Sequence, residues 1–173
     1  MKNREHIFHG AVVVMGVAGS GKTTLGKALA RQLKAQFIEG DDLHPSANVA
    51  KMSAQIPLTD ADRWPWLALV GTSLAGTQGK IASCSALKRS YREKIVEAAG
   101  RPVSFIFLDG GRETLERRMR ARQDHFMPPA LLASQLETLE PPDAHEHALR
   151  LDIEQSVSAL AAQAGSWLLS QDQ

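Results

Sequence analysis

The stretch Gly16-Val17-Ala18-Gly19-Ser20-Gly21-Lys22-Thr23 constrains this chain more than any other. It reads G-x-x-x-x-G-K-[ST], the phosphate-loop pattern. Glycines at 16, 19 and 21 admit backbone angles closed to other residues and leave room for a ligand against the main chain. Backbone N–H groups, continued by the first turn of a helix, then face an anion. Lys22 is placed to reach the β- and γ-phosphates, and the Thr23 hydroxyl to hold Mg²⁺. Thr24 extends the same turn, so residues 16–24 form the expected nucleotide-binding segment.

The flanking sequence supports that reading. Residues 11–15 (Ala-Val-Val-Val-Met) form an apolar run suited to a buried parallel strand. After Thr23, Leu25, Ala28, Leu29 and Leu33 recur at helical spacing. Strand, glycine loop and helix therefore follow without a gap. Further strands are expected over 37–39, 80–84, 103–108 and 148–153, alternating with helices. That alternation predicts an α/β fold with a doubly wound, five-stranded parallel sheet in one domain spanning 1–173.

The loop after the second strand, Gly40-Asp41-Asp42-Leu43-His44-Pro45, belongs at the carboxyl edge of the sheet, where ligands bind in such folds. Two carboxylates and a histidine one helix away from a phosphate loop suit a base, a metal-shell ligand and a substrate contact. Thr59-x-x-Asp62 has the spacing of a capping box and predicts a helix starting near residue 60 or at an Asp62 cap, kinked if it includes Pro65, and running to Gly76. Trp66, Leu67, Val70 and Leu74 are assigned to its inner face, with the tryptophans as core rather than ligand stackers. Arg63 is a candidate partner for a substrate anion. Lys88, Arg89 and Arg92 follow the third strand, and Cys84 reads as a small buried strand residue rather than a nucleophile.

Arg118 and Arg122 lie four apart after the fourth strand, where two guanidinium groups can clamp phosphate oxygens. The segment 123–129 breaks that helix, and a second helical stretch over 130–139 follows. Two helical pieces around a breaker predict a lid, roughly 118–142, that excludes water from the reaction. His125 is assigned to a lid contact with substrate or nucleotide. His145 and His147 carry no assignment.

Composition narrows the partners. Twenty Lys and Arg against nineteen Asp and Glu leave a net charge of +1, too small to point to nucleic acid. The single cysteine excludes an intrachain disulfide and suits a reducing compartment. No run approaches the roughly 20 apolar residues of a membrane span, and residues 1–9 lack the apolar core of a secretion signal, so a cytoplasmic protein is expected. The N-K-x-D motif of guanine-specific switches is absent, and the length leaves little room for motor elements. A small kinase is the reading that remains. A kinase for another acceptor such as shikimate or a nucleoside monophosphate stays open, as does a non-catalytic nucleotide switch. Cys84-Ser85-Ala86-Leu87-Lys88 stands where a shikimate kinase carries a glycine triplet. A switch has no use for a full acceptor-side constellation.

Across residues 11–153 the sequence resembles the bacterial gluconate kinases. The resemblance rests on M-G-V-A-G-S-G-K-T at 15–23, G-D-D-L-H-P at 40–45, N-x-x-K-M at 48–52 and P-L-T-D-x-D-R-x-P-W-L at 57–67. It continues in C-S-A-L-K-x-x-Y-R at 84–92, H-F-M-P at 125–128, S-Q at 134–135 and L-E-x-P at 139–142. It implies a P-loop kinase fold, a homodimer, and transfer of phosphate from ATP to the 6-hydroxyl of D-gluconate, with Mg²⁺ bridging the ATP β- and γ-phosphates. Within it, Asp41 is expected to orient the attacking hydroxyl and to stand near the metal with Thr23, with Asp42 next in line. Lys22, Arg118 and Arg122 are expected to steady the transferred group. His44, Arg63 and Lys88 are the acceptor-side candidates, with Lys51, Arg92, His125 and Gln135 behind them.

Overall fold

A computed structural model describes residues 7–122 and 129–171. The strands are β1 (Ala11–Met15), β2 (Gln36–Glu39), β3 (Lys80–Ser83), β4 (Val103–Asp109) and β5 (Ala148–Asp152), all parallel in the order β2-β3-β1-β4-β5. Helices α1 (Lys22–Leu33), α2 (Ser46–Ser53), α3 (Asp60–Ser73), α4 (Arg89–Ala99), α5 (Arg112–Ala121), α6 (Pro129–Thr138) and α7 (Val157–Gln171) connect and cover them. The expected α/β sheet is present, with each strand within one residue of its predicted bounds.

β1 is central and buried on both faces, which is why it is apolar throughout. Its side chains alternate between two layers. Val12 and Val14 pack with Leu25 and Leu29 of α1 and with Leu160 and Leu168 of α7. Ala11, Val13 and Met15 face Trp66, Leu67 and Val70 of α3 and Ile95 of α4. Parallel pairing brings the carboxyl ends of β1, β2 and β3 together, so the loops after them share one edge.

Thr59 caps α3: its hydroxyl accepts from the Asp62 amide, and the Asp62 carboxylate accepts from the Thr59 amide. Pro65 sits in the second turn. The bond it forgoes leaves the carbonyl of exposed Ala61 to water, so the helix tolerates it. The helix ends at Ser73 and not at Gly76 as its sequence suggests, because Leu74 caps it and the chain turns away before Gly76.

Arg92 is corrected from its place among the acceptor candidates. It is 1% exposed, and its guanidinium forks onto Glu146, Nε to Oε2 at 2.5 Å and Nη2 to Oε1 at 2.8 Å. Nη1 donates to the carbonyls of Ala86 and Leu87 at 2.9 and 3.3 Å. A buried guanidinium requires such partners, and these leave it nothing to offer a substrate. The pair ties α4 to the loop before β5. Removing one partner strands the other charge, so Glu146→Ala is expected to cost about 3–5 kcal/mol in urea unfolding. Arg89→Ala, which breaks only exposed pairs with Glu93 and Asp143, is expected to cost under about 1 kcal/mol.

Candidate active site

The glycine loop leaves β1 and enters α1 at Gly21, whose φ of +96° is one that a side chain strongly disfavours. The first N–H groups of α1 have no intrahelical partner and face out of the loop. Lys22 folds back to donate to the Val17 carbonyl at 3.0 Å. Burial lowers the Lys22 pKa, and the negative field of Asp41 opposes the shift, with Glu39 adding to Asp41 and Arg122 acting against them. Asp41, Glu39 and Arg122 thus all lie near enough to Lys22 to act on its charge.

Glu39, the last residue of β2, is a candidate site residue that the sequence alone does not single out. Its Oε2 accepts from the Thr23 hydroxyl at 2.7 Å, and its other oxygen accepts from Ser83 at the end of β3. Ser83 in turn accepts from the Gly40 amide at 3.2 Å. The available signal was an acid closing a strand that is otherwise Phe-Ile, beside a phosphate loop. The Thr23 hydroxyl donates to Glu39, so its lone pairs remain free for a cation.

The donor set suits Mg²⁺ held largely by phosphate oxygens. Among the described residues no three His, Cys, Asp or Glu side chains gather into a cage, whereas Thr23, Glu39 and Asp41 lie around the loop. The loop's affinity for oxygen acceptors is visible too: Gln135 Oε1 of α6 sits on the Ala18 amide at 2.7 Å. Gln135, a weaker candidate for a substrate contact, thus stands against the phosphate loop. Glu140, two residues past α6, is tied to α4 through its amide to the Leu87 carbonyl at 2.8 Å and its carboxylate to the Arg89 amide at 2.9 Å.

Arg118 and Arg122 line one cavity of about 320 Å³ together with residues 19–21, Thr24 and Gln155. Arg122 lies just past the last turn of α5, and Arg118 also donates to the Ile153 carbonyl at 2.5 Å. The two reach the same space, as expected, but from a helix end rather than from one helical face. His125 lies outside the described residues.

On the other side of the edge, Gly40 opens a short 3₁₀ turn, Gly40–Leu43, that carries Asp41 and Asp42, both exposed. A Cβ at Gly40 would stand 2.0 Å from the Ser83 carbonyl oxygen, so only glycine lets the turn lie against β3. Trp66 Nε1 donates to the Gly40 carbonyl at 2.8 Å, and its indole stacks on His44 with ring centres 4.0 Å apart. Trp66 is core, as expected, and also the platform under a site histidine.

Asn48 settles the His44 tautomer. Its amide nitrogen donates to the Asp62 carbonyl at 3.0 Å and lies 3.3 Å from His44 Nδ1. A carbonyl accepts only from the amide nitrogen, so Nδ1 is the acceptor and Nε2 carries the proton. Burial lowers the His44 pKa against the pull of Asp41, with Arg63 nearby assisting, so the ring is a neutral donor at pH 7. Lys51 pairs with Asp62: both carboxylate oxygens hold its ammonium at 2.8 Å, and that bond with those from Thr59 takes the Asp62 carboxyl down to about 2. Lys51 braces α2 against α3. Arg63 donates to the Leu58 carbonyl at 2.6 Å, and Lys88 reaches Asp60 at 3.2 Å. Cys84 is buried and its thiol pushed up to about 12, mainly by burial, which rules it out as a nucleophile.

Because the Gly40 contact sets where Asp41 sits, Gly40→Ala is expected to lower kcat about 100-fold while ATP affinity stays within about twofold. Steady-state kinetics and nucleotide titration check it.

Residues 12–142 match the family model described as "AAA domain". Gluconokinase of Gluconobacter oxydans is 49% identical over 144 residues, covering 81% of this chain and 80% of the relative. Thermosensitive gluconokinase of Escherichia coli is 45% identical over 156 residues, covering 87% and 83%. The crystal structure of a gluconokinase from Sinorhizobium meliloti superposes with a TM-score of 0.84 at 47% identity, covering 96% of this chain and 99% of that one. An APS kinase of Mycobacterium tuberculosis, at 19% identity and a TM-score of 0.66, shares the fold. With a phosphate loop, a P-loop kinase sheet and this degree of identity over most of its length, the chain belongs to the gluconokinase family.

Proposed function

We propose that the protein transfers the γ-phosphoryl group of ATP to the 6-hydroxyl of D-gluconate, giving 6-phospho-D-gluconate and ADP. The carrying observation is that the phosphate loop and the acidic turn share one sheet edge, tied through the Thr23–Glu39–Ser83–Gly40 hydrogen bonds, with cations further along it at Arg63 and Lys88. The relatives bear the name of this activity.

The amides of residues 16–24 cradle the phosphates. Lys22 leaves the Val17 carbonyl for the β- and γ-phosphate oxygens, and Arg118 and Arg122 reach them from the cavity beside Gly21. Charge spreads over the γ-phosphoryl oxygens in the transition state, and these cations stabilise it there. Thr23, with Glu39 and Asp41 behind it, would hold Mg²⁺, which supplies charge neutralisation between the β- and γ-phosphates.

Asp41 orients the acceptor hydroxyl and takes its proton as the new oxygen–phosphorus bond forms and the bond to the ADP oxygen breaks. His44 offers its Nε2–H to an acceptor hydroxyl. Arg63 and Lys88 hold the carboxylate at the far end. An extended six-carbon acid with one terminal carboxylate and one terminal hydroxyl spans such a site. Residues 118–122 and 129–142 serve as the lid of the single domain, linked to the loop through Gln135, and exclude water as a competing acceptor. On the family resemblance alone, we also read the protein as a cytoplasmic homodimer.

Lys22→Ala is expected to abolish transfer. Asp41→Asn should lower kcat at least about 100-fold with little change in ATP affinity. A wild-type rate in Asp41→Asn would remove Asp41 from the mechanism. The product formed from D-gluconate should show, by phosphorus NMR, one phosphate coupled to two protons, as on a primary carbon. Coupling to a single proton would place transfer on a secondary hydroxyl and refute the proposed geometry.

A further inference from the structure

The cationic end of the acceptor site holds a carboxylate of its own. Asp60, the first residue of α3, accepts a hydrogen bond from the Tyr91 hydroxyl and lies 3.2 and 3.4 Å from Lys88 Nζ through its two oxygens. Arg63 Nη1 stands 3.9 Å away. Tyr91 is a shared platform, with the Arg63 and Lys88 cations 5.7 and 5.5 Å from its ring centre. Asp60 remains 46% exposed, so it borders solvent where an acceptor enters.

An acid in the first turn of a helix is favoured by the helix dipole alone. The dipole does not explain a tyrosine hydroxyl from α4 and the lysine that precedes that helix aimed at the same carboxylate. The neighbouring ions cancel: Lys51 with Asp62, and Arg92 with Glu146. Arg63 and Lys88 set against Asp60 leave one positive charge, next to the His44 that Arg63 influences. Asp60 is also the same chemical group as the terminal carboxylate of a sugar acid and draws on the same donors.

We infer that Asp60 is a specificity-determining residue, an internal counter-anion that neutralises one of the two acceptor-side cations and matches the pocket to a monocarboxylate. The inference rests on the gluconate reading above. With Asp60 in place, a second negative charge at this end of the acceptor meets no further positive charge from Arg63 and Lys88. Without it, the pocket carries two and prefers anions more strongly.

Asp60→Asn and Asp60→Glu in the full chain test this. Asp60→Asn is expected to lower the KM for D-gluconate about fivefold and the inhibition constant of the dianion D-glucarate about fivefold to tenfold, its near carboxylate feeling the lost charge at a few ångströms and its far one, at the Asp41 end, only weakly. The neutral polyol D-glucitol should bind as it does to wild type. Asp60→Glu, which keeps the charge, should keep the wild-type ratio of glucarate to gluconate affinity. An unchanged or raised gluconate KM in Asp60→Asn, with glucarate inhibition unmoved, overturns the proposal, as does a glutamate variant that behaves like the asparagine one. Wild type inert toward gluconate would instead defeat the functional reading. Calorimetric titration of D-glucarate into wild type and Asp60→Asn would then still decide the charge claim, equal affinities sinking it.

Discussion

The carboxylate of Glu39 joins the parts on which the site depends. One oxygen receives the hydroxyl of Thr23 at the start of α1, the other that of Ser83 at the end of β3, and Glu39 itself closes β2. Three segments far apart in sequence are thereby locked at one sheet edge. A carboxylate accepting two hydroxyl hydrogen bonds is held in one orientation beside the loop. The phosphate loop, the acidic turn and the third strand end owe their mutual position to it.

From that anchor the site runs in two directions. Toward α5 lie Lys22, Arg118 and Arg122, the cations proposed to meet phosphate. Toward α3 lie Asp41, then His44 on its Trp66 platform, then Arg63 and Lys88. Gly40 is the pivot, packed so closely on β3 that the direction of Asp41 is set by backbone contact. A phosphoryl donor and an elongated acceptor can then meet end to end, with the entropy of alignment largely met by the fold.

Much of this was legible in the sequence because it is local. The glycine loop, the apolar β1, the Thr59–Asp62 capping box and the acidic turn each depend on neighbours within a few residues. What was not legible depends on distant partners. Arg92 and Lys51 look like free cations in the chain, yet Glu146 and Asp62 claim them. Gln135 reads as an acceptor contact and sits against Ala18, 117 positions away in sequence. Glu39 looks like an ordinary strand terminus until Ser83 and Thr23 are brought beside it. The end of α3 was misjudged for a similar reason: Gly76 is the obvious stop, but the chain leaves the helix at Leu74.

The central claim is that this edge pairs a phosphate loop with a pocket for an extended monoanionic polyol acid. ADP release from Mg-ATP by the purified protein, against D-gluconate, other sugar acids, shikimate and nucleoside monophosphates, tests it most directly. Release driven by D-gluconate, with shikimate and the nucleotides silent, is the predicted result. Release driven by shikimate or a nucleotide, or none with any acceptor despite tight ATP binding, would contradict it.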